Sequence, residues 1–263
     1  MSKIKFICFL ILCAGLISCR KKELPKPITP PIDTSVVTKG AINFKIKNVV
    51  GNKPLALGEL VSYSLANGDQ FTISTYNYYL SNFVFTDKNG NRFVEPESYH
   101  LVKANLPESL EFSVLNVPSA EYVSIEFLIG VDSARNFSGA QTGWLDPQYE
   151  MFWTWKTGYI MAKLEGRSPQ SGNTNNSISY HIAGVKGANN VLQKVQISLP
   201  SAAIVTKEKS PTLVMQSNAE TWFASTNFPG FSVLASIGVE GTDAVNMSKN
   251  YSKMMSVVSV ENQ

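Results

Sequence analysis

An all-β sandwich, of Greek-key, immunoglobulin-like or cupredoxin-like type and closed by a short C-terminal helix, is the fold class this sequence predicts. Three observations predict it. From residue 41 onward apolar and polar residues alternate, as Ile42, Phe44 and Ile46 do with Asn43, Lys45 and Lys47. A period of two lays one face of a strand on a core. The β-rich runs are short, and turn clusters such as Asp87-Lys88-Asn89-Gly90-Asn91 separate them, with Asn-Gly marking a tight hairpin. The chain shows no strand–helix–strand alternation and no GxGxxG, P-loop, GxSxG or HExxH motif, which argues against a doubly wound parallel sheet.

The elements follow in order. Residues 1–18 carry two early lysines, Lys3 and Lys5, then an apolar run from Phe6 to Leu12 that Ala14 to Ile17 continue. This is too short for a spanning helix and reads as a signal peptide. It ends Leu16-Ile17-Ser18-Cys19, which resembles a bacterial lipobox. An ordinary secretory leader or a short anchor is the competing reading; a cysteine at the expected cleavage point favours lipidation. Several acyl chains, palmitate among them, on Cys19 would anchor the protein stably to a membrane. The expected location is the cell envelope, at the outer membrane facing the periplasm. Residues 19–39 then form a tether, because Pro25, Pro27, Pro30 and Pro31 oppose helix and favour extended backbone. The domain proper is expected over residues 40–263.

Within it, Phe71 to Phe85, Val94 to Leu101, Leu110 to Val114 and Tyr122 to Val131 read as strands. Ile178 to Ile182, Val191 to Leu199 and Thr212 to Met215 read the same way. Residues 132–150 form a long connection with Gly139, Gly143 and Pro147, a length that is often functional. Met151 to Trp155 reads as a strand with Met151, Trp153 and Trp155 on one face, the pattern of a sandwich core. Met247, Tyr251, Met254 and Met255 recur at helical spacing, so an amphipathic helix is expected over 244–257.

Composition narrows the function. Removing Lys3 and Lys5 with the leader takes two from the formal charge of +3 and leaves +1. A nucleic-acid partner is not expected at that balance. All three cysteines, Cys8, Cys13 and Cys19, lie in the first 19 residues, so the body has neither a disulfide nor a thiolate metal site. Two histidines, His100 and His181, limit general-base catalysis, and no nucleophile–base pairing is visible. An enzyme is the least favoured class. Exposed aromatics near the 132–150 loop leave open a non-metal binding or adhesion module that meets glycans or a protein.

The segment from Gly130 to Gly166 is the most distinctive. It runs Gly-Val-Asp, an Asn-containing loop, Leu-Asp-Pro, Met-x-Trp-x-Trp-x-x-Gly-Tyr and Lys-Leu-Glu-Gly. With Tyr78-Tyr79-Leu80-Ser81-Asn82, Tyr99-His100-Leu101, Tyr180-His181-Ile182 and the end from Asn246 to Met255, it resembles the MbnP-like family of methanobactin-associated copper-binding proteins, over roughly residues 40–255. The resemblance implies an extracytoplasmic β protein with a copper site. In some members of that family a tryptophan near the metal is oxidised to kynurenine by a partner di-haem peroxidase. The body lacks the disulfide cysteines that the better-studied members carry.

Read alone, each histidine is an ordinary strand residue; the resemblance makes His100 and His181 the candidate copper ligands, since imidazole suits copper. Trp153 and Trp155 become the candidate aromatics beside the metal, ahead of Trp144 and Trp222. Asp132, Asn136 and Asp146 offer hard oxygens suited to calcium, but EF-hand spacing is absent and turn chemistry accounts for them better. Glu150 and Glu165, on either side of the tryptophan strand, are a carboxylate pair by sequence position alone.

Overall fold

Alternating side chains need a second apolar surface to cover them, and two sheets supply it to each other. The computed structural model describes residues 38–153 and 158–263. The leader, Cys19, most of the tether and Trp155 lie outside the described residues. In chain order the first eight strands are β1 (Lys39–Val50), β2 (Lys53–Pro54), β3 (Gly58–Ser64), β4 (Gln70–Asp87), β5 (Arg92–Val94), β6 (Tyr99–Lys103), β7 (Glu111–Pro118) and β8 (Ala120–Ile129). After the short helix α1 (Ser133–Asn136) come β9 (Phe152–Trp153), β10 (Gly158–Tyr159), β11 (Ala162–Arg167), β12 (Ser177–Ile182), β13 (Gln193–Val205), β14 (Thr212–Asn218) and β15 (Ser236–Ile237). Helix α2 (Thr242–Tyr251) and β16 (Met255–Glu261) end the chain.

The smaller sheet runs β16–β14–β1, with β7 and β2 sharing the far edge of β1. The larger sheet runs β13–β8–β4–β11–β12–β15, with β3, β5 and β6 also on β4. Most pairings are antiparallel; β1 with β14 and β12 with β15 are parallel. The fold is thus an all-β sandwich with one short helix near its C-terminal end. Aromatic rings fill the interior: Phe44 of β1 lies 5.0 Å from Phe83 of β4 and stacks at 4.6 Å on Phe112 of β7.

Strand β4 organises the larger sheet. Its stretch Tyr76-Asn77-Tyr78-Tyr79-Leu80-Ser81 is buried without a break. One face meets the opposite sheet, where the Tyr78 hydroxyl donates to Asn48 Oδ1 at 2.9 Å and Tyr76 Oη lies 2.8 Å from Ser217 Oγ. The other face is covered by the 130–160 segment, where the Tyr79 hydroxyl donates to the Trp144 carbonyl at 3.1 Å. Covering both faces turns an alternating strand into a continuously buried run, with Asn77 and Ser81 as its polar members. Asn82, at φ 56°, then re-aims the strand where its register with β8 shifts between Ser81 and Val84. Asparagine is one of the few residues that adopts this backbone readily.

Three expectations change. The 132–150 connection contains α1 and two 3₁₀ turns, Gly143–Leu145 and Pro147–Tyr149. The tryptophan strand begins at Phe152 and not at Met151, with Phe152–Trp153 pairing antiparallel to Gly158–Tyr159, while Trp155 lies outside the described residues. The terminal helix stops at Tyr251, and β16 follows it. Met254 and Met255 are therefore buried at the entry to a strand and not on the helix. Their helical spacing was accidental, because β14 offers an open edge that pairs with residues 255–261. Ala244, Met247, Ser248 and Tyr251 form the buried face of α2.

Candidate functional site

Cross-strand register fixes where the two histidines point. Lys103, Asn77, Lys163 and His181 stand in one row across β6, β4, β11 and β12. Opposed residues share a face, so His181 projects with Lys163 from the outer face of the larger sheet. His100 opposes Leu80, three residues along β4 from Asn77. An odd step reverses the face, so His100 points into the sandwich. The two Tyr-His pairs are laid in opposite senses: Tyr99 faces the loop side and His100 the core, whereas Tyr180 faces the core and His181 does not. The structure does not bring His100 and His181 together.

Each imidazole has a glutamate of its own. His100 Nε2 lies 3.0 Å from both oxygens of Glu95, and the Ser98 hydroxyl also donates to that carboxylate. The ring stacks on Phe112 at 3.9 Å and meets Phe83 edge-on at 5.7 Å, leaving a side chain 11% exposed. His181 Nε2 lies 2.7 Å from Glu165 Oε1 and 3.4 Å from Ser179 Oγ, and its side chain is 24% exposed. The hydrogen bond from His181 drives the Glu165 carboxyl down to about 2 against the opposing effect of burial; Thr75 and Lys163 add to the drop. A carboxylate accepts, so Nε2 of each histidine carries the proton. The Nδ1 of each ring makes no hydrogen bond to any described residue. A glutamate that fixes the tautomer of a histidine is the usual support of a metal-binding imidazole. Sequence reasoning missed both pairings. Glu95 sits five residues before His100 across a turn, and Glu165 reaches His181 only through the register of β11 and β12.

The tryptophans divide. Trp153 is buried and lines a cavity of about 190 Å³ with Asn136, Ala183, Gly184, Lys186 and Glu240. Ala183 to Lys186 is the stretch that leaves β12 just after His181, so Trp153 is placed at the His181 end of the sheet. Trp144 is half-buried against Tyr149 at 5.3 Å, and Trp222 lies in the interior against Tyr251 at 4.8 Å.

The oxygen donors of the loop are engaged. Asp132 caps α1 through the backbone N–H groups of Ala134 and Arg135, and also accepts from Tyr99 at 2.5 Å and Asn82 at 3.1 Å. Burial raises its pKa, but these hydrogen bonds outweigh burial and hold the carboxyl below its ordinary value. Asp146 caps the turn at Pro147–Tyr149 by accepting from the Gln148 N–H. Asn136 accepts the Tyr159 N–H at 2.8 Å. Glu150 is exposed in a left-handed conformation, while Glu165 is held by His181 and Lys163. Among the described residues no three His, Cys, Asp or Glu side chains cluster as a ready-made metal set.

Comparison with known proteins agrees with this architecture. The family model for MbnP matches residues 39–240. Among solved structures, MbnP from Methylosinus trichosporium superimposes with a TM-score of 0.52 at 14% sequence identity, covering 86% of this chain and 99% of that one. That likeness concerns the fold. No curated protein matches the sequence significantly. The family match takes in both Tyr-His strands, the Gly130–Gly166 segment and most of the sandwich, and the chain belongs to the MbnP family.

Proposed function

We propose that this protein is an extracytoplasmic lipoprotein, acylated on Cys19 and held at the outer membrane facing the periplasm, that binds copper through histidine. One observation carries the choice of ligand. His181 is the more accessible imidazole, its Nε2–H is committed to Glu165, and its Nδ1 lone pair is left for a metal. His100 is wedged between Phe112 and Phe83, where its first role is packing. Copper is the first-row divalent ion that an imidazole and oxygen site binds most tightly. Family membership supports a metal of this kind. In this reading Trp153, with Trp155 beside it in sequence, supplies the oxidisable aromatic, and a di-haem peroxidase is the partner that forms kynurenine there.

The test is titration of the mature chain with Cu(I) and Cu(II), beside His181→Ala, His100→Ala and Glu165→Gln. His181→Ala should lose the site. Glu165→Gln should weaken it about 10–100-fold, the usual effect of removing the partner that orients a ligand. His100→Ala should keep copper and lose stability instead. Absence of copper uptake by the native protein, or equal uptake by His181→Ala, would overturn the proposal.

A further inference from the structure

A cleft that His181 does not line lies on the loop side of the larger sheet. Glu97, Tyr99, Arg135, Gln141, Thr142 and Trp144 line a cleft of about 300 Å³. Its cation is built in place. The Arg135 guanidinium lies 5.5 Å from the centre of the Tyr99 ring, and its Nη1 donates to Gln141 Oε1 at 3.1 Å. Tyr99 is itself tied to Asp132 by its hydroxyl, so the platform beneath the guanidinium is fixed. Asp132 in turn accepts the Arg135 backbone N–H. Stacking and a second hydrogen bond leave the guanidinium little freedom, which is how arginine is prepared for a carboxylate.

The carboxylate now on Arg135 comes from Glu97. That side chain is 74% exposed, and its backbone sits at φ 50°, a left-handed conformation that costs a glutamate energy. An exposed ion pair of this kind is worth little, so a ligand carboxylate displaces it at small cost. The opposite wall is Trp144, whose indole N–H has no partner among the described residues, and beside it stands the exposed Thr142 hydroxyl. An aromatic face, a ring N–H, a hydroxyl and a prepared guanidinium match the apolar face, hydroxyls and carboxylate of an acidic sugar.

We propose that this cleft binds a uronic-acid residue of a glycan, its carboxylate replacing that of Glu97 on Arg135 and its ring lying on Trp144. The experiment is calorimetric titration of the full mature chain with tri-galacturonate, with neutral cellotriose and a tri-aspartate peptide as comparisons. Tri-galacturonate should bind. Arg135→Ala and Trp144→Ala should each weaken it at least tenfold, and Arg135→Lys, which keeps charge without the planar fork, should weaken it nearly as much. Glu97→Gln should tighten it several-fold by removing the internal competitor, a gain that a damaged fold would not produce. No binding of tri-galacturonate, or binding unchanged in Arg135→Ala, would overturn the proposal. So would tighter binding of cellotriose or tri-aspartate, or a Glu97→Gln variant no tighter than the native protein. Copper loading provides a separate readout, because His181 takes no part in this cleft.

Discussion

At the scale of single residues, charge is placed in pairs that link protonation to folding. Glu165 ordinarily titrates near 4.5 and is driven to about 2 in the folded chain, chiefly by the His181 hydrogen bond. A depressed carboxylate binds fewer protons when folded than when unfolded. Its contribution is therefore complete above about pH 4.5 and is lost as the pH falls toward 2. With the side chain 31% exposed, solvent screening leaves on the order of 1–2 kcal/mol of the full effect. Glu165→Gln should accordingly lower stability near neutral pH and flatten the fall between pH 4.5 and 2. Urea unfolding of both proteins at pH 7, 4 and 2.5 measures it. Parallel stability–pH curves would show that the pair contributes nothing. Part of this pair could be read in advance: Ser177-Ile178-Ser179-Tyr180-His181-Ile182 alternates cleanly, which by itself sends His181 to the polar face. Tyr99-His100-Leu101-Val102 carries no such alternation, because both faces of β6 are covered over its middle, and the inward turn of His100 was invisible.

At the scale of elements, close approach between strands decides what the sequence tolerates. β11 meets β4 at a shift in register between Glu165 and Gly166. A Cβ added at Gly166 would stand 1.8 Å from the Thr72 carbonyl oxygen. That contact is with backbone and cannot be relieved by a rotamer change. Gly166→Ala should force β11 away from β4 and cost about 2–4 kcal/mol, at or above the upper range for overpacking. It should also misplace Glu165 beside it. Thermal unfolding checks the first effect, and a native melting temperature would contradict it. The strands themselves were legible because alternation is a local property. The ends were not. Met247 and Tyr251 belong to α2, but Met254 and Met255 left the helix for an edge that only the folded sheet presents.

At the scale of the whole molecule, the chain divides its chemistry sharply: every cysteine stands before the sandwich, and the sandwich relies on packing, hydrogen bonds and ion pairs without a covalent cross-link. β16 illustrates the latter. Asn262, just beyond it, accepts the Ile204 N–H at 2.8 Å and donates to the Ala202 carbonyl at 3.0 Å, so the chain end ties one sheet to the other without a covalent link. In the function proposed above, Cys19 serves attachment. No helix among the described residues is long and apolar enough to cross a membrane. An acylated cysteine with several chains supplies stable anchorage at roughly 0.8 kcal/mol per buried methylene, where one chain alone holds only reversibly. Cells grown with labelled palmitate should therefore label the native chain and fail to label Cys19→Ala. The folded body should be indifferent, with the same β-type circular dichroism and melting temperature in both proteins. Label that persists in Cys19→Ala, or a native chain that takes none, would remove the lipid anchor from the account while leaving the sandwich and its histidine–glutamate pairs as they stand.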